Sequence, residues 1–340
     1  MASADLDERE VEWKRSLHAK KGRTHISEAK SIMEYGAKLQ NGVREGDKNT
    51  ILPLIAYYGT GRLYMQKRQA KNGSKDSTFF TRTIGYRDCL DSASNDKLMM
   101  KWFEDMTSIQ IQEGKMIPEL EAVKRAMGKC YTGAKSPQSK ANFEYKMKSK
   151  EIEITYQKDG ELEKLPMRML SDGLKITISM VADIAYRMAV LNPQLLDMVL
   201  EETPGIVLID EVDMHLHPEW QKRIVEDLHF IFPKVQFIMT THSPSILANV
   251  KKEHIVLLEN GKVYEPTNTT YGRDIAAILK EMMHVDVRPN EVTNLIDEFY
   301  KSISDEKYED AKNMLEKMVD ILGNNDSEVV QAKVTYDLEI

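Results

Sequence analysis

Two apolar runs stand out because each ends abruptly in polar side chains. Gly205-Ile206-Val207-Leu208-Ile209 runs into Asp210-Glu211, and Val235-Gln236-Phe237-Ile238-Met239 runs into Thr240-Thr241-His242. Apolar, β-branched runs of this length predict strands buried on both faces, the usual strands of a parallel sheet. A third strand is predicted over 51–58, with Gly59-Thr60-Gly61-Arg62 at its tip. Residues 176–191 carry Val181, Ile184, Ala185, Met188 and Leu191 at helical spacing. Ser171 is placed to cap that helix, and Gly173 leaves room for close backbone approach.

The same reading covers the rest of the chain. Leu6, Val11, Trp13 and Leu17 predict one amphipathic surface helix, and 27–39 a second. Residues 66–82 and 131–140 read as loops. One helical stretch is predicted from 94 to about 127, with Met99, Trp102, Phe103, Met106, Ile109 and Ile117 on its core face. Phe143, Tyr145 and Met147 alternate, as do Ile152, Ile154 and Tyr156, which predicts antiparallel strands before the helix at Leu170-Ser171. A short helix is expected over 195–200. Pro218 opens another helix, with Ile224, Leu228 and Ile231 as its stripe. Asn260-Gly261 predicts a hairpin turn. From Asp274 onward the pattern is helical, broken at 323–326.

Composition narrows the class. The 340 residues are 41% hydrophobic and 30% charged, which fits one large or two modest globular domains. No apolar run is long enough for a membrane span, and the acidic amino end has no secretory character. Cys89 and Cys130 have neither metal-type spacing nor a disulfide pattern, so a reducing cytoplasm is the expected compartment. A net charge of -7 argues against wholesale nucleic-acid binding. Between 124 and 150, however, eight basic residues face a single acid, Glu144. A solvated face is the preferred reading of that run, and a nucleic-acid patch the alternative.

The chemistry gathers at the strand tips. Ligands of open α/β sheets bind at the carboxyl ends of strands. Adjacent acids there suit a cation or a held water, and a plain acidic turn is the blander alternative. A helix start with a serine hydroxyl and unpaired N–H groups is a phosphate site in kind. His215 and His217 read as exposed polar groups, with metal ligation by the pair the lesser alternative.

Leu170-Ser171-Asp172-Gly173 at a helix start, Ile209-Asp210-Glu211 at a strand end and Thr241-His242-Ser243-Pro244 at the next strand end, in that order and spacing, resemble the ABC-type ATPases. The resemblance is closer still to the prokaryotic AAA-type, OLD-like ATPases that include the retron- and Septu-associated group, several of them linked to anti-phage defence. It implies an α/β fold: an ABC-type P-loop NTPase-like core sheet flanked by helices, a helical and antiparallel-β second lobe, and a helical carboxyl-terminal tail. The expected boundaries are 1–65 for the first part of the core, 66–165 for the second lobe, 166–287 for the rest of the core and 288–340 for the tail.

The resemblance also assigns roles. Leu170, Ser171, Asp172 and Gly173 correspond to the signature motif that contacts nucleotide. Asp210 corresponds to the Walker B ligand of Mg²⁺, and Glu211 to the residue that polarises the attacking water. His242 corresponds to the switch histidine, and 212–217 to the D-loop. Arg62 falls near the Q-loop position, where a phosphate contact and a structural salt bridge are equal alternatives. The implied cofactors are ATP and Mg²⁺. The implied assembly is a head-to-tail homodimer in which the signature motif of one copy meets nucleotide on the other, with an effector protein as a further expected partner.

One departure stands against the match. No Gly-x-x-x-x-Gly-Lys-Ser/Thr run occurs, and Gly59-Thr60-Gly61-Arg62 is too short to replace it. The expectation is a fragment, a shifted start, or a relative that has lost the loop. Two rivals to an ATPase follow: a non-catalytic pseudo-ATPase interaction subunit, and a nucleic-acid clamp.

Overall fold

The computed structural model describes residues 2–6, 9–14, 16–17, 24–25, 27–63, 81–91, 96–135, 141–158 and 160–339. The predicted loop over 66–82 falls almost wholly outside these residues. The chain divides into two compact units, 1–246 and 247–340.

The first unit opens with strands where a helix was expected. β1 (Ala2–Leu6) pairs antiparallel with β2 (Arg9–Trp13), and β3 (Ser16–Leu17) with β4 (Thr24–His25). Val11 and Trp13 are two residues apart, which is a strand period, and they are half-buried while Glu10 and Glu12 are exposed. The second predicted helix is α1 (Lys30–Arg44).

β5 (Leu54–Tyr58) leads to the helical lobe. The single predicted helix is two, α2 (Asp96–Glu113) and α3 (Pro118–Thr132). Gly114 adopts φ +63° and Pro118 opens α3, so the break is local chain chemistry. β6 (Asn142–Lys146), β7 (Glu151–Lys158) and β8 (Glu161–Pro166) form the expected antiparallel meander. It delivers the chain to α4 (Asp172–Leu191), which packs against β5 and α3. A 3-10 segment over Pro193–Met198 and the short α5 (Val199–Glu202) precede β9 (Gly205–Ile209). The helix after Pro218 is split into α6 (Pro218–Gln221) and α7 (Ile224–Ile231) before β10 (Val235–Met239).

The core sheet is parallel, in the order β10-β9-β5. Gly205 is required in it, because a Cβ there would lie 2.6 Å from both the Cβ and the carbonyl oxygen of Leu54. The expectation of strands buried on both faces is corrected. Leu54, Ala56, Tyr58, Val207 and Ile209 are buried on the face where α4 sits. On the other face Ile55, Ile206, Leu208 and Ile238 are 41%, 41%, 37% and 50% exposed. The residues of that face are side by side in register, Ile55 with Ile206 and Leu208 with Ile238. The apolar composition of these strands is that of a sheet meant to be covered twice, and the described helices cover it once.

Two buried polar groups tie α4 to the sheet. Tyr58 donates to Asp183 (2.8 Å), which also accepts from Arg187 Nε (2.8 Å). Arg187 spends its Nη1 on the carbonyls of Gly85 and Arg87. Burial, then the Asp183 carboxylate, pushes the Tyr58 phenol well above its ordinary range. At the far end of α4, Asn192 exchanges two hydrogen bonds with the backbone of Leu52, at 2.8 and 2.9 Å, in the manner of a strand partner.

The second unit starts as α8 (Pro244–Leu247) ends. It holds the predicted hairpin, β11 (Leu257–Glu259) and β12 (Lys262–Tyr264), with Asn260 and Gly261 both at positive φ. Then come α9 (Ile275–Glu281), α10 (Asn290–Ser304), α11 (Tyr308–Leu322) and α12 (Ser327–Glu339). Phe299, Ala311, Met318, Val329 and Ala332 form the fully buried centre of the last three. No described helix is long and apolar enough to cross a membrane.

Candidate active site

β5, β9 and β10 end side by side, and the residues after them form the site. The ladder continues one step beyond β9: Asp210 N–H donates to the Tyr58 carbonyl (2.8 Å), and Thr240 N–H to the Ile209 carbonyl (3.0 Å). Beyond that the backbone turns sharply. Glu211 has φ 47° and His215 φ 60°, so two residues with side chains hold left-handed conformations at either end of one tight turn. Such conformations are strained in non-glycine residues and persist where the surroundings fix them.

Those surroundings are side chains from the next strand tip. Thr240 Oγ1 accepts the Glu211 amide (2.8 Å) and donates to Asp210 Oδ1 (2.6 Å). Thr241 Oγ1 donates to Asp213 Oδ1 (2.5 Å) and accepts the Ser243 amide (3.0 Å). Ser243 in turn donates to Gln221 Oε1 (2.8 Å), and Gln221 Nε2 to the Leu216 carbonyl (3.0 Å). His242 is exposed, two residues past Thr240, on this cross-linked loop. His217 Nδ1 accepts the Glu219 amide at the start of α6. No cluster of three metal-ligand side chains occurs among the described residues, so the His215/His217 pair remains a pair.

The helix start meets the same turn. A Cβ on Gly173 would lie 2.1 Å from the carbonyl oxygen of His215, so only glycine allows α4 to approach this closely. Leu170 is buried and anchors the turn before α4, while Ser171 and Asp172 are exposed. Ser171 stands at the N-cap, but its side chain makes no capping hydrogen bond, which corrects the expected capping role. Asp172 pairs with Lys175 (2.8 Å), and that hydrogen bond holds its carboxyl below the ordinary range. Arg62 lies in the 3-10 turn Thr60–Leu63 after β5, and its side chain is outside the described residues.

Of the expected site residues, the structure links Asp210, Glu211 and Gly173 through one turn, with His242 on the neighbouring tip. Sequence reading carried Thr241, Ser243 and Asp213 only as members of motifs, with no role of their own, and did not single out Thr240 or Gln221. The signal available was a pair of hydroxyls immediately before the histidine at a strand end.

The basic run of the second lobe looks different in space. Lys124 pairs with Glu121, Arg125 with Glu201, Lys146 with Glu144 and Glu153, and Lys150 with Glu104, at 2.8, 3.4, 2.6, 3.5 and 3.7 Å. Lys135 pairs with Glu226, and Lys129 lies over the ring of Phe230. Lys124, Arg125, Lys135, Lys146 and Lys150 are thus each paired with acids on α2, α3, α5, α7, β6 or β7.

Residues 88–248, which contain Leu170–Gly173, Asp210-Glu211 and Thr241–Pro244 but not Arg62, match a family described as "AAA domain, putative AbiEii toxin, Type IV TA system". The Retron Ec83 probable ATPase of Escherichia coli is 27% identical over 347 residues, covering 86% of this chain and 64% of that protein. The Retron Vc95 probable ATPase of Vibrio cholerae serotype O1 biovar El Tor is 28% identical over 329 residues, covering 81% and 62%. Septu protein PtuA of Bacillus mycoides (strain KBAB4) is 34% identical over 161 residues, covering 44% and 22%. The chain spans less than two thirds of the length of the retron proteins it matches.

Proposed function

The chain is a relative of the retron- and Septu-associated ATPases, and from that premise we propose that it carries the hydrolytic and dimer-facing half of an ATPase site used in anti-phage defence. The observation that supports this most directly is the single turn holding Asp210 and Glu211 against both the Thr240 clasp and the start of α4.

The donor set suits the implied cofactors. Hard oxygen ligands select Mg²⁺, which takes one or two carboxylates and fills the rest of its shell with water and phosphate oxygens. Asp210 would be the protein ligand. When bound, Mg²⁺ supplies charge neutralisation on the phosphates. Glu211 would orient water and take its proton. His242, exposed on the neighbouring tip, would donate a hydrogen bond to the terminal phosphate. Ser171, whose hydroxyl is not engaged in capping, and the first N–H groups of α4 would face the nucleotide of a second copy. These 340 residues contain no phosphate-loop motif, so the cradle for the remaining phosphates is not among their motifs.

Glu211→Gln is the test. Turnover should fall about 100-fold or more, the usual range for losing a general base. ATP should then hold the variant as a dimer in light scattering. Unchanged turnover would remove Glu211 from the chemistry. Calorimetry that finds no Mg-ATP binding would favour the non-catalytic interaction subunit.

A further inference from the structure

We propose that Thr240 is the positioning residue for the Asp210 and Glu211 carboxylates, an inference that rests on reading those acids as an ATPase site. Thr240 makes one hydrogen bond to each of four consecutive residues. Its N–H donates to the Ile209 carbonyl (3.0 Å) and its carbonyl accepts from Val212 N–H (3.0 Å). Its hydroxyl takes the two between them, accepting from the Glu211 amide and donating to Asp210 Oδ1. A hydroxyl is suited to this place because one atom both donates and accepts.

The consequences for the two acids differ. Asp210 Oδ1 is held by the Thr240 hydroxyl at 2.6 Å, which restricts how the carboxylate turns toward a cation. Outer hydrogen bonds of this kind orient metal-binding carboxylates. Glu211 has its amide engaged at 2.8 Å, which holds the left-handed φ of 47° from which its side chain departs. Thr240 thus fixes the direction of one acid through its side chain and of the other through its backbone. Thr240 is itself solvent-exposed, and the two backbone bonds survive any side-chain replacement. Loss of the hydroxyl therefore alters the site without unfolding the strand.

The experiment is a Mn²⁺ titration of the full 340-residue chain in the presence of ATP, followed by electron paramagnetic resonance. Wild type, Asp210→Asn, Thr240→Val and Thr240→Ser are compared, with melting curves for each. Asp210→Asn should abolish the bound-Mn²⁺ signal. Thr240→Val should weaken binding about 10- to 100-fold, the range for losing an outer-shell partner, at an unchanged melting temperature. Thr240→Ser should restore the wild-type affinity. Wild-type affinity in Thr240→Val, with Asp210→Asn still impaired, overturns the role of Thr240 and leaves the site reading intact. Equal loss in Thr240→Val and Thr240→Ser shows that the hydroxyl is not the agent and overturns it as well. Wild-type affinity in Asp210→Asn, or no Mn²⁺ uptake by wild type, removes the premise and the proposal together.

Discussion

At Gly173 a hydrogen is the largest substituent the structure tolerates, because the His215 carbonyl lies where a methyl would go. Gly173→Ala must therefore move either the start of α4 or the left-handed residue His215. Both movements reach Glu211, four residues before His215. The expected result is a clear loss of ATP turnover together with a destabilisation of about 1–3 kcal/mol, the scale of overpacking. Gly36→Ala is the control, since nothing lies within 4 Å of a Cβ there and α1 should gain about 1 kcal/mol. Equal turnover in both variants would show that the contact only fills space.

The residue scale also shows what a sequence can display. Asp210, Glu211, His242 and the Leu170–Gly173 run were legible because each sits where a pattern of hydrophobicity changes. The clasp was not, because Thr240 meets its partners across 29 and 30 positions of chain. Gly173 could be read as a site of close approach, but what approaches it is set by the tertiary fold.

At the scale of elements, β5 and α4 are held together by a buried phenol–carboxylate–guanidinium chain. Arg187 is 6% and Asp183 15% exposed at the side chain, so this pair is not screened as a surface ion pair would be. Tyr58→Phe leaves Asp183 one donor short and should cost about 1–3 kcal/mol at neutral pH. The pH dependence has a definite sign. The folded-state pKa of Tyr58 is raised, so its contribution is complete below the unfolded value of 10.0. Above that pH the unfolded chain releases the proton and the folded chain keeps it, so stability falls as pH climbs toward the folded value. Urea midpoints at neutral pH and above 10 should therefore converge between wild type and Tyr58→Phe. A constant gap across that range would mean that the phenol does not resist ionisation. Strands, helices and the hairpin at Asn260-Gly261 were readable from period and turn chemistry. The amino-terminal hairpins and the break at Gly114 were not, because spacings of five, two and four residues fit a helix loosely and a single glycine is ambiguous within one.

At the scale of the molecule, the parallel sheet was legible, and its covering on one face alone by the described helices was not. Ile206, Leu208 and Ile238 belong to runs whose composition says only that apolar surface exists, not which element meets it. The four exposed aliphatic side chains on that face form a contiguous apolar area of a kind that soluble monomers keep small. This bears on how the protein behaves at the bench. A preparation of these residues alone should light up a hydrophobic dye while still showing a cooperative melt, and should be prone to precipitate on concentration. Leu208→Gln with Ile238→Gln should dim the dye and raise the concentration at which the solution turns cloudy, with little change in melting temperature. A detergent or a co-produced companion that improves yield would be acting on that surface, and a dye signal indifferent to both substitutions would place the stickiness elsewhere.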